Sequence, residues 1–410
     1  MGKRETGLQR VSEREMVIAL VRLLAHPTAE RVAAVRQLIP AVDMTQLLAL
    51  LAAQNLVPTL GGLLLRDELR AELDDDVAQA IELSRMRARQ RGLLNHGVTT
   101  RFTRALDDAG IKAAPLKGAV LADTVYGDIG ARQSSDIDVL VPVADLDRAV
   151  EVAEGQGWHE PELLRAVGVP RLHRELFHQT LPPLELHWRV HWYEESFAPS
   201  ALDRAERTTD GWLRLQAADE LVSLLLFLAR DGFAGLRQTL DVVAWWAALG
   251  TDETAGAVRA TIEAHPPLER ALTAAAWHAE ELAGIPHGAL AGEARLSRRQ
   301  LAALRLANPW LVGSRPQIRA DVSLVDGLLA PPDGGRAFIG RQLLLPRSIL
   351  VRRQPDLQGA SAMRVGAARL SHAGRVLLRY VLGASAALAK PRATWPSAQR
   401  TYRTRVGPQR

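Results

Sequence analysis

A chain of 410 residues, 47% hydrophobic and 24% charged, is long enough to bury a sizeable core and to divide into two or three lobes. It holds no cysteine, which excludes disulfides, thiolate nucleophiles, zinc ribbons and iron–sulfur clusters. The formal charge of +5 is unevenly spread: no acid follows Asp356, and the ten Lys and Arg residues beyond it leave the preceding chain net acidic.

The first residues, "MGKRETGLQRVSEREM", mix charges of both signs without an apolar stretch, so no secretory signal is expected. Cytoplasmic residence follows as the expectation. Helical spacing of apolar residues then runs through "EREMVIALVRLLAH", "AERVAAVRQLI" and "DMTQLLALLAAQN", and a longer helical pattern extends from about Asp74 to Asp108 with acids at its start. Within it Arg85, Arg87, Arg89 and Arg91 fall on different faces. They read as a solvated surface, with a phosphate contact by one or two as the sharper alternative.

At Gly110 the pattern changes. "IKAAPLKG" predicts a short strand ending in a tight turn, "AVLADTVYG" a helix, "GDIGARQSS" a loop and "DIDVLVP" a β-branched strand closed by Pro142. "ADLDRAVEVAEGQGW" predicts a capped helix, and "LFHQTL" and "LELHWRVHW" predict two strands joined through Pro182 and Pro183. Beyond residue 200 the pattern is again helical, in "ADELVSLLLFLARDG", "LRQTLDVVAWWAAL" and "LERALTAAAWHAEELAG". "VLLRYVLGASAALA" carries Arg379 and is short for a membrane span, so it predicts a buried or docking helix. Five regions result: a helical region 1–110, an α/β core 111–195, a helical domain 196–300, a C-terminal helical region 301–389 and a basic tail 390–410. The tail offers a route to nucleic acid, but no aromatic-interleaved repeat accompanies it.

Side chains alternate along a strand, so Asp136 and Asp138 are expected on one face, with Ile137, Val139 and Val141 on the other. Two neighbouring carboxylates repel unless a cation sits between them. A magnesium ion completed by a nucleotide satisfies them, and the Lys117-Gly118 turn can present backbone N–H groups to its phosphates. In "LELHWRVHW" the same alternation puts Glu185, His187, Arg189 and His191 together, which makes Glu185 a third carboxylate for metal or for general base work.

This ordered set resembles a known family. The run "LKGAVLADTVYGDIGARQSSDIDVLVPVADLDRAVEVAEGQGW", followed by "LELHWRV" and by "DELVSLLLFLARDGFAGLRQTLDVVAWW", is similar to the uncharacterised bacterial nucleotidyltransferases of the DNA polymerase β-like superfamily. The resemblance covers residues 75 to 260. It implies an α+β fold in which a small mixed sheet is embedded in a predominantly helical protein. It further implies in-line attack of an acceptor hydroxyl on the α-phosphorus of an NTP, with ATP the expected nucleotide and two Mg²⁺ ions. Asp136, Asp138 and Glu185 are then the catalytic and metal-binding residues, and Gly118 lets the phosphates approach. Where the superfamily has a second small polar residue in the turn, this chain has Ala119, so either Lys117, or Ser134 and Ser135, are expected to compensate, and Arg132 to neutralise the leaving group. His187 either orients Glu185, touches phosphate, or packs beside the tryptophans. Asp241 is expected to be the buried partner of an arginine, and Trp245 and Trp246 to be core. His173 and His178 are too far apart in sequence to suggest a metal pair. The acceptor implied is a small molecule or peptide, with tailoring of the lasso-peptide kind included. The alternatives are the same chemistry on RNA or protein, or an inactive nucleotide-binding partner of the antitoxin type.

Overall fold

The computed structural model describes residues 12–161, 172–209, 211–292, 295–331, 345, 347, 350–351 and 354–389. Helices α1 (Glu13–Ala25), α2 (Ala29–Leu38), α3 (Met44–Ala52), α4 (Asp67–Arg70) and α5 (Asp75–Asp108) lead to a four-stranded sheet. Its strands β1 (Ala114–Leu116), β2 (Ile137–Leu140), β3 (His173–Leu176) and β4 (Leu184–His187) are interrupted by α6 (Gly118–Thr124) and α7 (Leu146–Gly155). There follow α8 (Phe197–Asp203), the short hairpin strands β5 (Glu206–Arg207) and β6 (Leu213–Arg214), then α9 (Ala217–Arg230), α10 (Arg237–Leu249), α11 (Asp252–Ala264), α12 (Glu269–Ala283), α13 (Arg298–Leu306), α14 (Arg315–Leu329) and α15 (Ala362–Ala389). This is the α+β, predominantly helical architecture expected. No single helix among the described residues is long and apolar enough to cross a membrane.

Local chemistry sets many of the helix ends. Ser12 and Glu15 form a capping box on α1, Thr28 and Asp43 cap α2 and α3, and Gly284 ends α12 at a left-handed φ of 62°. The expected cap on α7 differs: the Asp145 carboxylate binds Arg148 at 2.6 Å and makes no hydrogen bond to the helix backbone.

The sheet runs in the order β1-β2-β4-β3. β2 lies parallel to β4, and both edge strands pair antiparallel with their neighbours. A parallel pair needs a long crossover, and α7 and β3 lie within it. One face of the sheet buries Ile137, Val139, Leu184 and Leu186 against Phe102 of α5 and Trp158. The opposite face meets α9, which is apolar on nearly every side and buried along most of its length.

The N-terminal helices do not enclose a core of their own. Met16, Leu20 and Leu47 pack in one cluster with Leu240 of α10 and Leu282 of α12, so the elements before and after the sheet are clamped together. The loop after α6 is also anchored to α5. Arg85 and Arg89 reach Asp128 at 2.6 and 3.1 Å, and a Cβ added at Gly92 would collide with the Ile129 carbonyl.

Two strand expectations are corrected. The antiparallel partner of β4 is His173–Leu176 rather than "LFHQTL", of which Phe177 forms an isolated bridge to His159. β4 itself ends at His187, although the alternation of apolar residues continues to Trp192. Leu184 and Leu186 bury against α5, whereas Val190 joins the core around α9. The continued alternation thus serves two cores, and Arg189 and His191 lie beyond the strand.

Candidate active site

The parallel register places Asp138 opposite Glu185 and Leu140 opposite His187. Asp138, Glu185 and His187 share one cluster: His187 Nε2 lies 2.9 Å from Asp138 Oδ1 and 3.2 Å from Glu185 Oε2. Ionised carboxylates only accept hydrogen bonds, so Nε2 carries the donated proton. The His187 ring is fully buried and sits edge-on to Phe227 of α9 at 5.7 Å. Of the three alternatives for His187, this one bridges the acids.

Lys117 joins from the turn between β1 and α6. Its Nζ is 3.1 Å from Asp138 Oδ1 and lies 3.8 Å over the Phe227 ring. The turn takes an unusual backbone, with φ of 43° at Lys117 and 39° at Gly118. Glycine tolerates that region, but at Lys117 it costs on the order of 1–3 kcal/mol. The strained turn is what aims the ammonium at Asp138.

Electrostatics keep the acids ionised. Burial alone would raise the Asp138 carboxyl, but the Lys117 ammonium and His187 outweigh it and hold it far below the usual carboxylate range. For Glu185 burial and Asp138 act upward, and the His187 hydrogen bond with His173 wins, so it too is lowered.

Asp136 stands one residue before β2, half-buried, where its Oδ1 accepts from Ser134 Oγ at 3.1 Å. Ser134 is itself buried, with its carbonyl accepting from Asn95 at 3.1 Å, and its Oγ lies 3.7 Å from where a Cβ on Gly118 would stand. Ser135 is exposed. Arg132 points elsewhere. Its Nε and Nη2 each donate to Asp241 at 2.7 Å, Tyr126 donates to the same carboxylate at 3.0 Å, and Arg132 is 5% exposed. Burial and Asp241 together push the Tyr126 hydroxyl well up. Asp241 is therefore a buried arginine partner, as expected, and its partner is the residue expected at the leaving group. Trp245 is core, with its indole N–H on Glu220 at 2.6 Å.

Two residues at the site escaped the sequence. His173 sits on β3 opposite His187, with ring centroids 4.8 Å apart and Nε2 3.8 Å from Glu185. Burial and His187 push it down to about 4. Arg230, at the end of α9, lies 4.6 Å over Phe227, on the ring that Lys117 also contacts, and its Nη1 is buried with no hydrogen-bond partner. No symmetry in the chain marked the first, because the pairing of β3 with β4 turns about residue 180 and not about Pro182-Pro183. Nothing local marked Arg230. His178, by contrast, is structural: its Nδ1 accepts from the Thr180 and Leu181 amides, both at 3.1 Å.

His191 has lost the role the alternation gave it, and it acquires a pH signature instead. Burial and then the Arg230 charge push this fully enclosed ring down to about 3, against an unfolded value near 6.5. Between those values the unfolded chain binds the extra proton, so stability is lost as pH falls below about 6.5 toward 3, by at most about 1.4 kcal/mol per pH unit for this group. Urea midpoints at pH 7, 6 and 5 are expected to fall with a steeper slope in the wild type than in His191→Gln. Equal slopes would remove His191 from the titration.

A mostly helical α+β protein whose small mixed sheet presents ionised carboxylates and a lysine on one face is the class that fold and site define. The chain belongs to the uncharacterised nucleotidyltransferase family, whose model matches residues 40–284, from the turn after α2 to the cap of α12. It is accordingly a transferase, with a nucleoside triphosphate as the substrate the family implies. No curated protein matches it.

Proposed function

We propose that this protein transfers an NMP group from an NTP, with ATP preferred, to a hydroxyl of a small-molecule or peptide acceptor, in tailoring chemistry such as that of lasso peptides. The observation that carries the reading is the parallel register of Asp138 with Glu185, both bonded to one buried imidazole nitrogen. Asp138 and Glu185 supply the carboxylate oxygens that magnesium prefers. Asp136, Asp138 and Glu185 would hold Mg²⁺, which when bound supplies charge neutralisation to the triphosphate and the attacking oxygen.

The chain's own groups do the rest. Glu185, ionised and partly accessible, either completes the metal ligands or takes the proton as the acceptor oxygen bonds to the α-phosphorus and the bond to pyrophosphate breaks. His187 holds Glu185 and Asp138 in fixed orientation. The Gly118 turn, with Ser134 beside it, admits the phosphates to the backbone. Arg230, with one unpartnered guanidinium nitrogen, takes the leaving-group position that Arg132 does not reach, while Arg132 fixes the loop between α6 and β2.

Mass spectrometry of candidate acceptors after incubation with each NTP and Mg²⁺ tests the reading, with the mass of one added nucleotide as the expected product. Turnover that persists in the Asp136→Asn/Asp138→Asn double variant would overturn it. Arg230→Gln is expected to raise KM for the NTP by about tenfold or more, in line with losing one charge-assisted bond, and an unchanged KM would take Arg230 out of the phosphate site.

A further inference from the structure

The two most exposed large apolar side chains among the described residues, Met363 at 85% and Leu370 at 76%, stand seven residues apart on α15, and Leu377 and Leu378 follow at 50% and 58%. Residues seven apart fall nearly on one helix face, so Met363, Leu370 and Leu377 draw a stripe of about 21 Å along the axis. Between them that face carries only Gly366, Ala367, Ala373 and Gly374, and among the described residues a Cβ added at Gly366 or Gly374 meets nothing within 4 Å. The opposite face attaches the helix: Val365 is buried with Leu345, Leu350 and Leu357, and Ala368 packs against that cluster. α15 is thus held by one side and open on the other.

Charge says what fits the open side. Arg364, Arg369 and Arg375 border the stripe. Arg364 meets Asp356 at 3.2 Å, whereas Arg369 donates to the Leu345 carbonyl at 2.9 Å and Arg375 to the Ser371 hydroxyl at 2.7 Å, neither of which cancels a charge. Asp356 is the last acid of the chain, and ten Lys and Arg residues follow it. A second copy seated on this face would bring two such segments together, and they would repel. An apolar stripe bordered by arginines and followed by further cations matches a bilayer with anionic headgroups: the leucines enter the acyl boundary while the guanidinium groups meet the phosphates. Each cation near such a surface strengthens attachment about fivefold. The helix lies along the surface and does not cross it, because arginines recur at 364, 369, 375 and 379.

We infer that α15, with the basic segment that follows it, is an in-plane anchor that binds an anionic lipid bilayer through the face carrying Met363, Leu370 and Leu377. The inference is independent of the transferase reading and places that chemistry at a membrane surface.

The test is co-sedimentation of the full-length protein with vesicles of phosphatidylcholine alone or of equal parts phosphatidylcholine and phosphatidylglycerol. Binding to the anionic vesicles only is expected, and at least about tenfold weaker in about 1 M salt, where the Debye length falls to about 3 Å. Leu370→Ser/Leu377→Ser, with circular dichroism confirming its fold, is expected to weaken binding at least about tenfold. Val143→Ser, which removes a side chain 65% exposed on the turn that holds Asp145, is expected to change nothing. Because the chain has no cysteine, a polarity-sensitive dye attached to the thiol of Leu370→Cys reads insertion directly, with blue-shifted emission expected on the anionic vesicles, and this measurement stands even where the double variant misfolds. Absence of binding, equal binding to both kinds of vesicle, unchanged binding in the folded double variant, an equal loss in Val143→Ser, or an unshifted dye each overturns the anchor. Self-association that the double variant abolishes, or salt-sensitive retention of RNA in place of vesicles, would also overturn it and assign the segment to a second copy or to nucleic acid.

Discussion

Asp138→Asn is expected to abolish nucleotidyl transfer, by a factor on the order of 10³ or more, and to lower stability as well. The second effect follows from the structure. Sequence alone suggests that neutralising either aspartate relieves repulsion and leaves the fold intact. In the protein, Asp138 is 2% exposed and the charge beside it is the Lys117 ammonium at 3.1 Å, itself 13% exposed. Removing the carboxylate leaves a cation in a nearly dry site. Breaking one side of a buried pair costs about 3–5 kcal/mol; the Phe227 face under Nζ is in place before and after the substitution and offsets none of it. The loss expected is roughly 3–5 kcal/mol, read as a fall in urea midpoint. Asp136→Asn provides the contrast: this half-buried carboxylate accepts from the Ser134 hydroxyl, so its loss is expected to stop transfer while moving stability by no more than about 1 kcal/mol. Transfer retained in Asp138→Asn would remove Asp138 from the chemistry. Equal midpoints for the two variants would mean that Lys117 does not depend on its partner.

How much of this was legible in the sequence depends on whether the signal was local. The Lys117-Gly118 turn, the aspartate strand and the helices on either side follow from patterns a few residues long and are found there, except that the strand begins at Ile137 and leaves Asp136 just before it. Glu185 was legible as a carboxylate on a later strand, but its position across from Asp138 depends on a parallel pairing, which no periodicity encodes. The end of β4 was illegible for a different reason: "LELHWRVHW" alternates without a break, and only the tertiary packing assigns Val190 to a second core. His173 was set aside because spacing along the chain was the criterion, whereas the antiparallel register brings it across from His187. Asp241 was readable as an acid on an apolar helix in need of a cation. Its cation is Arg132, 109 residues earlier, and a loop arginine flanked by glycine and serines resembles a phosphate ligand until the fold shows where it points.

That pair decides between two roles for Arg132. Arg132→Met is expected to cost about 3–5 kcal/mol, because Asp241 would stay buried with the Tyr126 hydroxyl as its remaining donor. Replacing the whole buried cluster, in the triple variant Arg132→Met/Asp241→Leu/Tyr126→Phe, removes the charges and the orphaned hydroxyl together and is expected to return the urea midpoint to within about 1–2 kcal/mol of the wild type. Stability in the triple variant then separates structure from chemistry. If Arg132 acts only by tying the loop between α6 and β2 to α10, the restored protein keeps its transfer rate within about tenfold of the wild type. If transfer stays lost while stability returns, the guanidinium must leave Asp241 to meet the substrate, and the leaving-group role suggested by the sequence would be reinstated.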